Sequence, residues 1–251
     1  MALRSFCVII PMYNEERGAE NCVRSVSAAL ELIPYRNALL VVNDGSSDKT
    51  GEILERLAPQ FPRLHVVSHA VNMGYGAALR TGVRKANEAA YDYAVFMDSD
   101  LTNDPSDLPR FVQKMEEDFD LIKASRYVGD GRTEGVPWKR RAISATGNAV
   151  ARILFGMGLH DCTNGFRAVK LGILTRMNLR ERGFPIIMEE LYQSRFLVRS
   201  CCEIPVVLTS RAADMRPTSF GYNPETFKRY LGFGLKAFFR IKPDLQQGDS
   251  D

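Results

Sequence analysis

Cross-linking chemistry is the first thing the 251-residue sequence lacks. Its five cysteines, an odd number at positions 7, 22, 162, 201 and 202, form no Cys-x-x-Cys pair. Neither a disulfide framework nor a zinc site is expected from that spacing, and a reducing, cytoplasmic setting is. A leader is not expected either: Met1, Ala2, Leu3 and Arg4 run into a short apolar segment that stops at Pro11, too short and wrongly flanked for a signal peptide. No uncharged apolar run approaches the roughly 20 residues of a membrane span, so the chain is not expected to cross a bilayer by itself. Charge of one sign is scarce, with 33 Lys and Arg against 30 Asp and Glu for a net +3. With no basic motif either, nucleic acid is not an expected partner. Repeats at solenoid periods and low-complexity tracts are absent, and the only tail-like segment is "QQGDSD" at 246–251.

What is present is an ordinary globular composition, 45% hydrophobic and 25% charged, in a chain long enough for one large α/β domain. "FCVIIP" (6–11) predicts a buried strand closed by Pro11. "EERGAENCVRSVSAALEL" (15–32) then predicts a helix whose apolar face carries Ala19, Cys22, Val23, Val26, Leu30 and Ile33. "ALLVVN" (38–43) is a second strand, followed by the turn "DGSSD" and a helix through "TGEILERLAPQ". "LHVVSH" (64–69), the helix in "GYGAALRTGVRKANEAA" (74–90) and "YAVFMD" (93–98) continue the alternation, which becomes irregular beyond about residue 126. Strand-to-helix alternation of this kind implies a mostly parallel sheet with helices on both faces. Ligands of such sheets bind beyond the carboxyl ends of the strands, which is where "PMYNE", "NDGSSD" and "DSD" fall.

Asp98 and Asp100 stand two residues apart after a strand, so both carboxylates leave the sheet edge on one face. A divalent cation with oxygen ligands would remove their repulsion and bind a diphosphate besides. The same stretch also reads as a helix start, since Asp100, Thr102, Asp104 and Ser106 are good caps and Pro105 suits a first turn. Asp44, at another strand end, suits hydrogen bonds from a nucleobase or ribose, or an ordinary Asp-Gly turn with Gly45. "NMGYGAALRTG" fits neither G-x-G-x-x-G nor the P-loop, and Gly74 and Gly76 equally suit close helix packing.

Taken together, "VIIPMYNEE" (8–16), "VVNDGSSDKTGEIL" (41–54), "NMGYGAALRTGV" (72–83), "FMDSDLTNDP" (96–105), "ASRY" (124–127), "WKRRAIS" (138–144) and "DCTNGFRAVK" (161–170) resemble the family-2 glycosyltransferases of GT-A fold. Within that family they resemble the dolichyl-phosphate mannosyltransferase-like, polyprenyl-phosphate hexosyltransferase branch. The resemblance implies a Rossmann-like GT-A domain over 1–220 and an amphipathic C-terminal extension with a polar tail over 221–251. It places Pro11, Tyr13 and Glu15 on the nucleotide, Asp44 on its base or ribose, and Ser99 against the nucleotide sugar. Asp98 and Asp100 become the D-x-D pair that takes Mg²⁺ or Mn²⁺ on the donor diphosphate. Arg126, Arg140 and Arg211 become phosphate ligands, with Asp100 counted beside them in catalysis; guanidinium forks match phosphate oxygens bidentately. The chain departs from the pattern at Asn43, where an aspartate is common, at Thr102, where a glutamine is common, and after Arg211, where Arg216 stands in for a lysine.

The implied reaction moves a hexose, with inversion, from a nucleotide diphosphate to a polyprenyl phosphate, mannose from GDP-mannose being the first choice and glucose from UDP-glucose the second. Transfer to a saccharide or small-molecule hydroxyl is the rival reaction, for which Glu189 and Glu190 stand where relatives keep a base, although a surface helix explains them more simply. An inactive nucleotide-sugar-binding scaffold is the rival outside the enzymes. The lipid acceptor implies a position at the cytoplasmic face of a membrane. "TFKRYLGFGLKAFFRIK" (226–242) offers a route, because Phe227, Tyr230, Leu231, Gly234, Phe238 and Ile241 share a helical stripe among cations. The same stripe suits packing on the domain, and a small membrane-spanning subunit would serve as well.

Overall fold

The computed structural model describes residue 3, residues 5–211 and residues 224–246; Arg216 and the end of the polar tail lie outside the described residues. The first half alternates as the sequence implies. Strands β1 (Ser5–Met12), β2 (Arg36–Asn43), β3 (Leu64–Ser68) and β4 (Tyr93–Phe96) are separated by helices α1 (Ala19–Glu31), α2 (Thr50–Leu57) and α3 (Tyr75–Glu88). Strand β1 pairs in parallel with β2 on one side and β4 on the other, and β2 pairs in parallel with β3. The chain therefore winds outward from β1 in one direction and returns to its other flank, leaving a switch point between β1 and β4.

Period-two alternation along β1 divides the core into two layers. Phe6, Val8, Ile10 and Met12 pack on one face with Cys22, Val23, Val26 and Leu30 of α1, while Cys7 and Ile9 face α3 on the other. Leu30 is fully buried, so Leu30→Ala would cost about 2–5 kcal/mol. Gly82 lets α3 lie close on the sheet, since a Cβ there would stand 2.4 Å from Ile9 Cγ2.

The second half is less regular. After α4 (Leu108–Glu116) come β5 (Leu121–Ser125), a short β6 (Arg132–Thr133), α5 (Trp138–Phe155), β7 (Arg167–Lys170), α6 (Leu171–Leu174), α7 (Ile186–Leu197), β8 (Cys201–Pro205), β9 (Val207–Leu208) and α8 (Pro224–Phe238). The main sheet runs β3-β2-β1-β4-β7-β5-β8, with β7 antiparallel to both neighbours. Inserting this reversed strand breaks the strand-helix rhythm visible earlier in the sequence. Strand β7 starts at the site end of the sheet and runs away from it, which places the loop before it, residues 161–166, beside the carboxyl end of β4.

Helix α8 packs against α5 and α7, and the apolar stripe expected along it is divided. Gly234 and Ala237 are buried and Tyr230 and Phe233 lean on the core, whereas Phe227, Leu231, Leu235, Phe238, Phe239 and Ile241 are exposed. Gly234 permits the contact with α5, because a Cβ would stand 2.7 Å from Leu154 Cδ1. Among the described residues no helix is long and apolar enough to cross a membrane.

Candidate active site

A cavity of about 1100 Å³ opens over the carboxyl ends of β1 and β4. Its floor is the acid pair. Asp98 follows β4, and its Oδ1 accepts a 3.2 Å hydrogen bond from the Tyr75 hydroxyl. Tyr75 is held in turn by stacking on Phe184, ring centroids 4.6 Å apart. Gly165 closes over the same carboxylate, where a Cβ would stand 3.2 Å from Asp98 Oδ2. Burial, and then the neighbouring charge of Asp100, push Asp98 up to about 6.

Asp100 is placed differently. Its Oδ1 accepts from the backbone N–H of Thr102 at 3.1 Å and from the Thr102 hydroxyl at 2.9 Å. Its Oδ2 accepts from Arg211, from Nε at 3.1 Å and Nη2 at 2.7 Å. Thr102 thus orients an acid through a local turn. The helix start is carried by Asp104, which accepts from Ser106 N at 2.8 Å, with Pro105 behind it. That leaves Asp98 and Asp100 facing the cavity.

Two carboxylates at a sheet rim, one raised by the other, fit a hard divalent cation. Among the described residues no group of three His, Cys, Asp or Glu side chains stands close enough to hold an ion. The remaining ligands of a Mg²⁺ or Mn²⁺ ion would therefore be oxygens from outside the protein, as a diphosphate and water supply.

Pro11, Tyr13, Glu15, Asp44 and Ser99 also line the cavity. Thr50 anchors this wall by accepting the Glu15 N–H on its hydroxyl at 2.8 Å. The Asp44 carboxylate accepts from Met73 N at 2.9 Å and Gly74 N at 2.8 Å, and lies 2.6 Å from His69 Nδ1. Much of its hydrogen-bonding capacity holds the 72–74 turn. Asn43 stays outside the cavity lining and shapes the next turn, its Oδ1 accepting from Ser46 N at 3.2 Å. The glycines serve packing: at Gly76 a Cβ would meet Glu181 O at 2.3 Å, and Gly74, at φ +98°, would meet Arg182 O at 2.5 Å.

Arg126 and Arg211, the latter resting on Asp100, are the two cations among the described lining residues. Asp161 holds Arg126 in a fork, with Nε 2.6 Å from Oδ2 and Nη2 2.8 Å from Oδ1, and Thr163 Oγ1 accepts from Nη2 at 2.9 Å. Burial acts to raise the Asp161 carboxyl, yet Arg126 and the surrounding donors leave it below the usual range. Asn148 of α5 fixes this loop, its Oδ1 accepting from Cys162 N at 2.8 Å and Thr163 N at 3.1 Å. Arg140 is placed elsewhere: it is exposed in the first turn of α5, before that helix reaches the cavity at Ala142. Beyond the arginines the wall is apolar, formed by Ile143, Val150 and Leu154 of α5 and by Phe227 and Leu231 of α8.

Glu189 and Glu190 require a correction, because neither lies on a surface helix face. Glu190 is 1% exposed and forks onto Arg167, Oε1 to Nε at 2.5 Å and Oε2 to Nη2 at 2.6 Å. Glu189 is buried and accepts the backbone N–H groups of Arg180 and Glu181. Every turn of α7 is enclosed, so its charges are buried structural partners and neither lines the cavity. Beneath the site, Arg167 also lies over the Phe96 ring at 4.2 Å. Lys123, lowered to about 8 by burial and the nearby Arg167, donates to Asn164 O at 2.9 Å. Sequence reasoning did not single out Tyr75, His69, Asn148, Asp161 or the Arg167–Glu190 pair. "DCTNGFRAVK" contains two of them, but their roles come from contacts 23 to 35 residues away along the chain.

A family model, Glycosyl transferase family 2, matches residues 7–177, and the chain belongs to that family. It is 33% identical over 234 residues to the polyprenol monophosphomannose synthase of Mycolicibacterium smegmatis, covering 92% of this chain and 87% of that one. To the undecaprenyl-phosphate mannosyltransferase of Micrococcus luteus it is 30% identical over 232 residues, covering 91% and 93%. The dolichol-phosphate mannosyltransferase of Pyrococcus furiosus is 30% identical over 207 residues, 82% of this chain and 56% of that longer one. Among solved structures, glucosyl-3-phosphoglycerate synthase from Mycobacterium tuberculosis with phosphoglyceric acid matches at TM-score 0.68 and 21% identity, covering 96% of this chain and 81% of that one. The same enzyme with Mg²⁺ and UDP matches at TM-score 0.66 and 21% identity, with the same coverage. The shared architecture is the GT-A fold, as the mostly parallel sheet implied.

Proposed function

We propose that the protein transfers a hexose, with inversion, from a nucleotide diphosphate to the phosphate of a polyprenol, mannose from GDP-mannose being the first candidate pair. The observation that carries this reading is that one cavity is lined by carboxylates at the strand ends, by Arg126 and by Arg211, which rests on Asp100, and by an apolar wall from α5 and α8. Such a set of surfaces suits a nucleotide sugar, an acceptor phosphate and a hydrocarbon chain. The names of the M. smegmatis, M. luteus and P. furiosus relatives support the same acceptor class and the same sugar.

Among the described residues, the acids lining the cavity are Glu15, Asp44, Asp98 and Asp100. They belong to the donor end, and Glu189 and Glu190, the candidate bases for a hydroxyl acceptor, are buried elsewhere. A phosphate acceptor needs no base, because a phosphate monoester with a second pKa near 6 is mostly ionised at neutral pH. One of its oxygens attacks the anomeric carbon from the face opposite the diphosphate, the new C–O bond forming as the bond to the leaving diphosphate breaks. The protein's part is to hold two anions in line. Asp98 and Asp100 would carry a divalent ion, which when bound neutralises charge growing on the leaving diphosphate. Tyr75 and Gly165 fix the Asp98 carboxylate, and Arg126, braced by Asp161, offers a positioned fork to the acceptor phosphate.

The site also supports a peripheral position at the cytoplasmic face of a membrane. Exposed Ile143 and Val150 of α5 and Phe227 and Leu231 of α8 line the apolar end of the cavity, and the same two helices also expose Trp138, Ile153, Leu235 and Phe238. Helix α5 carries Lys139, Arg140, Arg141 and Arg152 and no acid, a composition that suits an anionic headgroup layer. The functional test offers a panel of radiolabelled nucleotide sugars with a short polyprenyl phosphate. A labelled product that partitions into organic solvent is expected, while donor binding without transfer, or a product only on water-soluble hydroxyl acceptors, would contradict the reading.

A further inference from the structure

Asp100 and Arg211 form the one contact in which a residue assigned to metal is already occupied by a residue assigned to phosphate. The Asp100 carboxylate has about four favourable acceptor positions, and four donors reach it: Thr102 N and Oγ1 on Oδ1, Arg211 Nε and Nη2 on Oδ2. The pair is sheltered, with side-chain exposures of 11% for Asp100 and 20% for Arg211. Thr102 belongs to the same local turn and reaches Asp100 through its own backbone N–H, so its contact is tied to the chain path. Arg211 comes from a distant segment, 111 residues away, and is the detachable partner. The backbone N–H of Thr209, two residues earlier, bonds Thr102 O at 2.9 Å, so the segment is docked beside the Asp100 turn.

We infer that Arg211 is a place-holding cation at Asp100: it neutralises the carboxylate in the unloaded protein and, when a divalent ion and donor diphosphate arrive, is displaced to become the ligand of the acceptor phosphate. This rests on the proposed reaction and deepens it. Two cations do not share Oδ2, so filling the metal position releases the guanidinium, and a guanidinium engaged with phosphate leaves Oδ2 to the metal. Coupling between the two sites is reciprocal, so the acceptor phosphate must tighten metal binding by the same factor that metal and nucleotide tighten the acceptor.

The test measures binding rather than turnover, on the full chain. Mn²⁺ alone is titrated and free ion followed by electron paramagnetic resonance. Arg211→Met is expected to tighten Mn²⁺ about fivefold, the scale of a partly exposed ion pair removed from competition, and Arg211→Lys, which keeps the charge but not the fork, should fall between. In the unaltered protein, farnesyl phosphate should bind about tenfold tighter with saturating Mn²⁺ and GDP or UDP than without them. In Arg211→Met that enhancement should vanish. Mn²⁺ affinity unchanged or weakened in Arg211→Met, or farnesyl phosphate affinity indifferent to Mn²⁺ and nucleotide in the unaltered protein, overturns the exchange; the second measurement needs no variant. Asp98→Asn serves as the reference for the underlying reading. Mn²⁺ retained at full affinity there removes the metal site and the exchange with it, whereas Mn²⁺ lost there but not tightened in Arg211→Met removes the exchange alone.

Discussion

At the donor end of the cavity the acids stand just beyond buried strand β4, while at the acceptor end the Arg126 guanidinium, though its backbone follows β5 as directly, is aimed by side-chain hydrogen bonds. Asp98 and Asp100 inherit their positions from β4, whose four residues are buried and paired on both sides. The backbone of Arg126 follows β5, and the direction of its guanidinium is set by Asp161 and Thr163, whose loop Asn148 holds. A carboxylate at a strand end is placed by backbone pairing, which tolerates many side chains nearby. A guanidinium held by a polar network depends on each partner, because a buried polar group left unpaired costs about 1–3 kcal/mol. The donor end should therefore fail chemically when altered, and the acceptor end structurally.

The largest loss of stability is expected at the buried ion pair beneath the acids. Arg167→Met would strand the Glu190 carboxylate, and about 3–5 kcal/mol of stability should be lost, read as a lower urea midpoint. A variant unfolding within about 1 kcal/mol of the parent would mean the loop does not rest on this pair. Asp98→Asn, directly above this pair, should raise the urea midpoint rather than lower it, since it removes a buried charge, while lowering kcat/KM at least about tenfold, roughly 1.4 kcal/mol of transition-state stabilisation. Full activity in that variant would remove the metal role.

Acid should separate the two ends as well. Burial and Asp100 raise Asp98 to about 6 from its ordinary 3.8, so between those values the folded protein binds a proton that the unfolded chain does not. Through this group alone, stability of the unliganded protein rises as pH falls from about 6 toward 4, and is lost again as pH rises. Metal needs the ionised form, so Mn²⁺ affinity should fall about tenfold per pH unit below about 6. A flat affinity from pH 7 to 5 would contradict the environment described for Asp98. The smallest effect concerns the apolar rim. Phe238→Ser, removing a half-exposed ring from α8, should weaken binding to vesicles containing anionic lipid by about 1 kcal/mol, roughly fivefold. Sedimentation with vesicles reads it directly, and equal binding by both proteins would move the contact elsewhere.

The same contrast explains what was legible in the sequence. Continuous apolar runs such as "FCVIIP" and "ALLVVN" announce buried strands, and the polar residues that follow each run mark the donor end; Pro11, Tyr13, Glu15, Asp44, Asp98, Ser99 and Asp100 are all found around one cavity. Nothing local marks β7 as antiparallel, and its insertion is what brings Gly165 and Arg167 under the acids. Glu189 and Glu190 look like solvated charges because a helix with apolar residues on every side has no pattern that separates a buried face from an exposed one. The division of the α8 stripe is hidden for a related reason: Gly234 fits the contact with α5 by size, while the larger apolar residues beside it stay exposed.

The central claim, that paired carboxylates hold a divalent ion against the donor diphosphate during transfer to a lipid phosphate, is tested most directly by measuring transfer of labelled mannose from GDP-mannose to a short polyprenyl phosphate with Mg²⁺, with EDTA, and with Mg²⁺ restored. An organic-soluble product that disappears with EDTA and returns with Mg²⁺ is predicted. Undiminished transfer in EDTA would contradict the account.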